Sequence, residues 1–220
     1  MVSYVFEEIF EKIKQRLDVD DEIRESTLKS TRNSIRFCQE AVRSIHRKEF
    51  EDAHEKLERA SNLIQNLENN IKNKSPELYY KGSVLTMHQE FVEASLFLKL
   101  IEDKTEIPKP ETLNVSYYAY LLGLGDLIGE LRRYSLDAIR NENFDEAERS
   151  LNTMEEIFNL LHMLDYPEGL IPGIRRKVDV ARSLIEKTRS DLTYFKHGKT
   201  LVNKMNQLLE SLKKLDSGKE

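Results

Sequence analysis

Apolar residues recur along nearly the whole chain at spacings of three and four, which is the period of one face of an α-helix. The alternating pattern of a half-buried strand is almost missing. The short run of β-formers at 114–118 has no partner run elsewhere, so we do not expect it to form a strand. The pattern predicts an all-α protein with helices at about 4–16, 21–47, 50–71, 75–104, 115–141, 144–163 and from 173 past 194, with a possible break at 197–198.

Helix ends are indicated by capping residues and prolines. Asp20 or Asp21 suits the N-cap of the second predicted helix, and Ser75 suits that of the fourth, with Pro76 at its first position. The clearest breaker is the Ile-Pro-Lys-Pro run at 107–110, because neither proline can continue a helix.

The composition favours one helical domain. Of 220 residues only 8 are Gly and 5 are Pro, while 33% are charged and 39% are hydrophobic, enough for a core. No segment resembles a linker, and no repeat has a solenoid period. We therefore predict a single-domain bundle of about seven helices over residues 1–215, followed by a flexible tail at 216–220.

Charge, cysteine content and hydropathy narrow the function classes. The single cysteine, Cys38, excludes an intramolecular disulfide and is expected to be a buried small side chain. No secretory leader opens the chain and no apolar run could span a bilayer, so we expect a cytoplasmic protein with no membrane association. The net charge of −5 argues mildly against a nucleic-acid partner, although a local basic surface could still bind phosphate.

Four acidic residues stand inside strongly apolar helical segments. Glu90 and Glu93 are three residues apart, and Asp126 and Glu130 are four apart, so each pair lies on one helix face. The surrounding residues predict that both helices are buried, where an ionised carboxylate is costly unless a cation compensates it.

Three explanations remain open from the residues alone. The acids could line a polar seam and pair with Lys99, Arg132 or Arg133. They could instead supply hard oxygen ligands for Mg²⁺ or Mn²⁺ from two helices. A di-iron bundle would require Glu-x-x-His motifs on two helices, which neither pair provides.

Three glycines, Gly123, Gly125 and Gly129, fall in the same segment as the second acid pair. Each costs a helix about 1 kcal/mol relative to Ala. They indicate either tight packing against another helix or space for a substrate.

Two of these segments resemble the signature motifs of the translin/Trax family. Residues 89–94, QEFVEA, are similar to the Q-E-[YF]-V-E-A motif of Trax, and residues 120–131 are similar to its Y-L-L-G-x-x-D-L-x-G-E-L run. The resemblance continues at 175–179, RRKVD, and covers most of the chain. One departure is Ala119, where the family often has Asp, a position outside the catalytic acids.

The resemblance implies a translin-like fold, a hollow octamer that encloses RNA, and membership of the catalytic Trax-like branch. Its catalytic acids correspond to Glu90, Glu93 and Asp126, with Glu130 as the fourth acid of the metal set. The implied activity is a Mg²⁺- or Mn²⁺-dependent endoribonuclease that hydrolyses RNA phosphodiester bonds, and the compact chain suits a homo-octamer. The rival from another class is a non-catalytic oligomer of the translin type that binds RNA or single-stranded DNA.

A row of basic residues follows the second predicted helix, formed by Lys29, Arg32, Arg36, Arg43 and Arg47. Its spacing of three, four, seven and four is compatible with contact to a phosphate backbone, most directly through Arg32, Arg36 and Arg43. The alternative is a solvated helix face with ion pairs to Glu25 or Glu40.

Overall fold

The computed structural model describes residues 2–71, 82–102 and 106–217, and within them it contains seven helices and no strand. The predicted all-α class is therefore confirmed, and so is the absence of a strand at 114–118. The helices are α1 (Val2–His46), α2 (Phe50–Ile71), α3 (Ser83–Ile101), α4 (Pro110–Leu113), α5 (Tyr117–Arg140), α6 (Phe144–His162) and α7 (Ile174–Ser217). The chain divides into two compact units, Met1–Leu127 and Ile128–Glu220, with the division inside α5.

The first two predicted helices form one continuous helix, so the predicted break before Asp20 or Asp21 is wrong. Neither Gly nor Pro lies nearby to interrupt it. The aspartates that suggested a cap instead pair along the helix, Asp20 with Arg16 at 3.2 Å and Asp21 with Arg24 at 3.4 Å. Such i,i+4 and i,i+3 pairs support a helix interior.

The predicted helix at 75–104 is not continuous, because Gly82 takes a φ of 60° and α3 begins only at Ser83. The other boundaries agree more closely with the sequence pattern. Helix α2 has the predicted bounds. Residues 107–109 of the proline-containing run are not helical, and Pro110 begins the short helix α4, which was not predicted. Helix α7 continues through 197–198, so the possible break there is absent. It also includes residues 216 and 217 of the predicted tail. The rest of that tail, 218–220, lies outside the described residues, and so do the predicted helix-end residues Ser75, Pro76 and Lys104.

The first unit is built on α1, which packs along both α2 and α3. A polar contact reinforces the α1–α2 packing, since the buried Ser34 hydroxyl donates to the Ala60 carbonyl at 3.4 Å. The fully buried core includes Cys38, Ala41 and Ile45 on α1, Ala53, Ala60 and Ile64 on α2, and Met87, Leu96, Phe97 and Leu98 on α3.

In the second unit α6 packs against α7, and the Ser135 hydroxyl on α5 donates to the Ala147 carbonyl on α6 at 3.1 Å. Arg132 on α5 is largely buried and donates to Thr188 Oγ1 at 2.7 Å and to Asp191 Oδ2 at 3.1 Å, both on α7. Its core includes Ile128 and Leu131 on α5, Met154 and Leu161 on α6, and Ile174 and Ala181 on α7.

Each unit contains a helix hairpin closed by the same type of turn. After α1, the Glu49 amide donates to the Ser44 carbonyl, and after α5 the Asn143 amide donates to the Ala138 carbonyl, both at 2.9 Å. Lys48 and Glu142 take the left-handed conformation at these turns, with φ of 60° and 57°. This six-to-one hydrogen bond with a left-handed residue is the usual stop of a helix, although glycine normally occupies the left-handed position.

No helix in the described part of the chain is both long enough and apolar enough to cross a membrane.

Candidate functional site

Helix α3 carries the first acid pair on an otherwise buried segment. Phe91, Val92 and Ala94, which surround the acids, are at most 6% exposed, as the apolar pattern predicted. Glu90 and Glu93 themselves are half-buried. Burial raises the pKa of the Cys38 thiol on α1 well above its usual value, and the negative charges of Glu90 and Glu93 raise it further. The two carboxylates therefore lie close to Cys38, a neighbour that the sequence did not indicate.

Asp126, the first acid of the second motif, is half-buried on α5 and is held from α3. The side-chain amide Nε2 of Gln89 donates a hydrogen bond to Asp126 Oδ2. This bond connects the first residue of the QEFVEA motif with the acid of the second motif. Gln89 had been assigned no role from the sequence, and only its place inside the motif could have drawn attention to it.

Gly123 lies one helical turn before Asp126, where α5 and α3 come into very close contact. A Cβ atom at Gly123 would lie 2.6 Å from Val92 Cγ1 and 2.9 Å from the backbone oxygen of Gln89. Of the two sequence-based interpretations of these glycines, tight helix packing is therefore the correct one at Gly123. Gly129, by contrast, has nothing within 4 Å of such a Cβ atom.

Glu130, the fourth acid, is half-buried on the part of α5 that belongs to the second unit. Arg133 approaches it at 3.9 Å, near the limit of an ion pair. Arg132, another candidate partner for a polar seam, pairs instead with Asp191 and Thr188. The seam explanation therefore loses Arg132 as a partner for the acids.

The chemistry of the acids fits a hard divalent cation, because half-buried carboxylates are the ligands that Mg²⁺ and Mn²⁺ prefer. Within residues 2–71, 82–102 and 106–217, however, no three His, Cys, Asp or Glu side chains are placed to hold one ion together. Binding would thus require the side chains of Glu90, Glu93 and Asp126 to turn toward a common point.

The basic residues of α1 form an exposed face, as the spacing predicted. Lys29, Arg32, Arg36, Arg43 and Arg47 are all exposed. The Arg36 guanidinium lies 5.5 Å from the centre of the Phe37 ring, and Arg43 Nε donates to the Gln39 carbonyl at 3.2 Å. Among the described residues no carboxylate pairs with Arg32, Arg36 or Arg43, so the alternative of ion pairs to Glu25 or Glu40 is not observed.

Two further surfaces are apolar and exposed. Among the side chains that the structure describes, the first half of α1 exposes seven large apolar ones and the second half of α7 exposes eight. They are Val5, Phe6, Ile9, Phe10, Ile13, Leu17 and Val19 on α1, and Tyr194, Phe195, Leu201, Val202, Met205, Leu208, Leu209 and Leu212 on α7. A groove of about 1180 Å³ within the second unit adjoins the α7 residues and is lined in part by Leu136, Ile139 and Phe144.

Comparison with known proteins gives consistent matches over most of the chain. An uncharacterised protein of Methanocaldococcus jannaschii is 38% identical over 177 residues, which are 80% of this chain and 77% of the relative. The crystal structure of AfC3PO matches with a TM-score of 0.78 at 33% identity, covering 87% of this chain and 98% of that one. A structure of AfC3PO in complex with duplex RNA also matches with a TM-score of 0.78, at 32% identity over the same shares.

The fold is shared more widely than the sequence. The crystal structure of apo-NeC3PO matches with a TM-score of 0.76 over 84% of this chain and 96% of that one, at only 22% identity. The sequence profile of the Translin family matches residues 11–217. This chain therefore belongs to the Translin family.

Proposed function

We propose that this protein is a Mg²⁺- or Mn²⁺-dependent endoribonuclease of the Trax-like catalytic branch. One observation carries the proposal: the two motifs place Glu90, Glu93 and Asp126 half-buried on adjacent helices, α3 and α5, and carboxylate oxygens are the ligands that Mg²⁺ and Mn²⁺ prefer. The Gln89–Asp126 hydrogen bond links the two motifs directly.

In the proposed reaction, Glu90, Glu93 and Asp126 would hold the cation, with Glu130 in support. When bound, the cation lowers the pKa of a water molecule and neutralises charge on the scissile phosphate. The carboxylates contribute negative charge that retains the cation, while the apolar residues around them on α3 limit access of bulk water. The reaction is hydrolysis of an RNA phosphodiester bond.

The proposed nucleic-acid partner is RNA, with single-stranded DNA as an alternative. The structure of AfC3PO with duplex RNA, at 32% identity, supports RNA as the partner of a protein with this fold. On this chain the basic face of α1 is the best candidate for phosphate contacts, because Arg32, Arg36 and Arg43 are exposed and pair with no carboxylate of the described residues. Arg47, at the end of this face, pairs with Glu49 at 2.7 Å.

We further propose that the protein assembles into a closed homo-octamer that encloses its substrate. The exposed apolar residues on α1 and α7 support self-association, because soluble monomers rarely expose contiguous apolar surface of this kind. Native mass spectrometry should give eight times the chain mass of 25.8 kDa. A monomer at micromolar concentration would exclude the enclosed chamber.

Cleavage of short RNA with and without Mn²⁺ tests the catalytic assignment. Glu90→Gln, Glu93→Gln and Asp126→Asn should each abolish cleavage while leaving folding and RNA affinity largely intact. Glu58→Gln is the matched control, because Glu58 is exposed on α2 and has no ion pair within the described residues. Cleavage by the metal-free protein, or by the three acid variants at the wild-type rate, would refute the assignment.

The alternative function is a non-catalytic oligomer that binds RNA or single-stranded DNA. The absence of a preassembled set of three ligands among the described residues favours it. The same cleavage assay separates the two functions, since the alternative predicts RNA binding that is unaffected by metal and by the acid substitutions.

The basic face is tested separately from the chemistry. Replacing Arg32, Arg36 and Arg43 by Gln should weaken binding to all RNA sequences alike and reduce the salt dependence by about 0.9 units of slope per lost contact on a duplex. Arg149→Gln on α6, an exposed arginine that pairs with Glu146, serves as control. Unchanged affinity and salt slope in the triple variant would move the RNA contacts to Arg133 or to the cluster at 175–177.

A further inference from the structure

Gln89 and Asp126 meet because α3 and α5 approach each other at Gly123. A Cβ atom added at Gly123 would lie only 2.9 Å from the backbone oxygen of Gln89. From that point the Gln89 side chain reaches Asp126, one helical turn further along α5. The contact therefore depends on a specific backbone approach and not on two flexible surface side chains that happen to be near each other.

The amide group suits this position because it donates without adding charge. An ionised carboxylate only accepts hydrogen bonds, so the NH₂ end of the Gln89 amide must face Asp126. A lysine or arginine there would also orient the carboxylate, but its charge would compete with a cation for it. An amide fixes one oxygen of Asp126 and leaves the negative charge of the carboxylate in place.

We propose that Gln89 is a positioning residue that orients the Asp126 carboxylate for cation binding through the Nε2–Oδ2 hydrogen bond. The inference rests on the proposed metal-dependent function. Groups that hydrogen-bond to a metal ligand typically contribute 10- to 100-fold to metal affinity. Gln89 fulfils that role for a ligand on the neighbouring helix.

Binding of Mn²⁺ to the metal-free full chain, followed by the electron paramagnetic resonance signal of free Mn²⁺, tests this role without measuring activity. Gln89→Met removes the donor while keeping the length of the side chain, and Gln89→Asn keeps an amide that is one methylene shorter. Each should raise the Kd for Mn²⁺ about 10- to 100-fold. Gln65→Met is the control, since Gln65 is exposed on α2. In an Asp126→Asn background, Gln89→Met should have no further effect on the Kd.

A purely structural role gives a different result. It would lower the thermal stability of the metal-free protein while leaving the Kd for Mn²⁺ of the folded protein unchanged, and that outcome would overturn the positioning role. Failure of both Gln89 variants to fold would overturn it as well. If the wild-type chain itself binds no Mn²⁺, the proposed metal-dependent function fails and the positioning role fails with it. Wild-type binding combined with unaffected variants refutes only the role of Gln89. RNA affinity in EDTA should be the same for all variants.

Discussion

Two glycines on α5 offer a matched pair of substitutions that isolates the close approach of α3 and α5. Gly123→Ala adds a methyl group where Val92 Cγ1 would be 2.6 Å and the Gln89 backbone oxygen 2.9 Å away. Gly129→Ala adds the same methyl group, six residues later in the same helix, where nothing lies within 4 Å. A valine side chain can adjust slightly, but the Gln89 oxygen belongs to the backbone of α3 and can move only with the helix.

The expected magnitudes follow from the two environments. Both substitutions gain about 1 kcal/mol of helix propensity, because alanine loses less backbone freedom than glycine on folding. Only Gly123→Ala also overpacks a helix interface, which typically costs about 1–3 kcal/mol. Because the propensity gain is common to both variants, the difference between their free energies of unfolding measures the clash alone. For a chain of this size, that difference corresponds to roughly 2–12 °C in Tm.

Thermal unfolding followed by circular dichroism at one protein concentration measures this difference, and the fixed concentration removes the effect of self-association on Tm. Gly129→Ala should unfold at or above the wild-type temperature, and Gly123→Ala clearly below Gly129→Ala. If Gly123→Ala is as stable as Gly129→Ala, α3 and α5 are not in close contact at this point. The positioning of Asp126 by Gln89 would then lose its structural basis.

Three other predictions concern single residues. Lys48→Gly should stabilise the protein by about 1 kcal/mol in urea unfolding, because φ of 60° strains any residue with a Cβ atom. Cys38 should react with a thiol reagent at pH 8 only as the protein opens or unfolds, because burial and the charges of Glu90 and Glu93 raise the pKa of its thiol. Rapid reaction of the native protein would contradict its buried position. Burial, followed by the charge of Glu146, raises the pKa of Tyr134 to about 12, above its ordinary value of 10.0. The folded state therefore holds this proton more tightly than the unfolded state, so its stabilising effect is complete below about pH 10 and is lost as the pH rises to about 12. Tyr134→Phe should flatten this alkaline loss in a series of urea unfolding curves, and an unchanged slope would show that other groups cause it.

The positions of most helices could be predicted because their apolar periodicity is strong and their ends carry local signals. Helix α6 begins after Asn143, whose side chain accepts from the Glu146 amide at 3.3 Å, and α5 begins after Ser116, whose hydroxyl accepts from the Ala119 amide at 3.1 Å. The turns at Lys48 and Glu142, which end α1 and α5, are harder to recognise from the sequence, because no glycine occupies the left-handed position there.

The error in α1 has a physical cause. Aspartate is a good N-cap residue, but it also pairs well with an arginine three or four residues away inside a helix. Asp20 and Asp21 satisfy the second description, since Arg16 and Arg24 lie at those spacings. Without a nearby Gly or Pro, the choice between a cap and an internal ion pair depends on whether the preceding residues also continue the helix.

The candidate acids could be identified from the sequence because a carboxylate inside an apolar helix is exceptional. The residues that surround these acids in the fold could not be predicted in the same way. The charge interaction of Cys38 with Glu90 and Glu93 and the Gln89–Asp126 hydrogen bond depend on the register of α1, α3 and α5 against one another, over separations such as the 37 residues between Gln89 and Asp126. Nothing in local periodicity determines that register.

Arg132 illustrates why charge proximity along the chain is a weak guide to pairing. It is two residues from Glu130, but residues two apart point to different faces of a helix. Its guanidinium instead bonds to Thr188 and Asp191 on α7 and is largely buried there. Because a buried arginine must be paired, this contact fixes the packing of α5 on α7 and takes Arg132 away from the acids. Arg132 therefore does not pair with the half-buried carboxylates of α3 and α5, although it lies only two residues from Glu130 in the sequence.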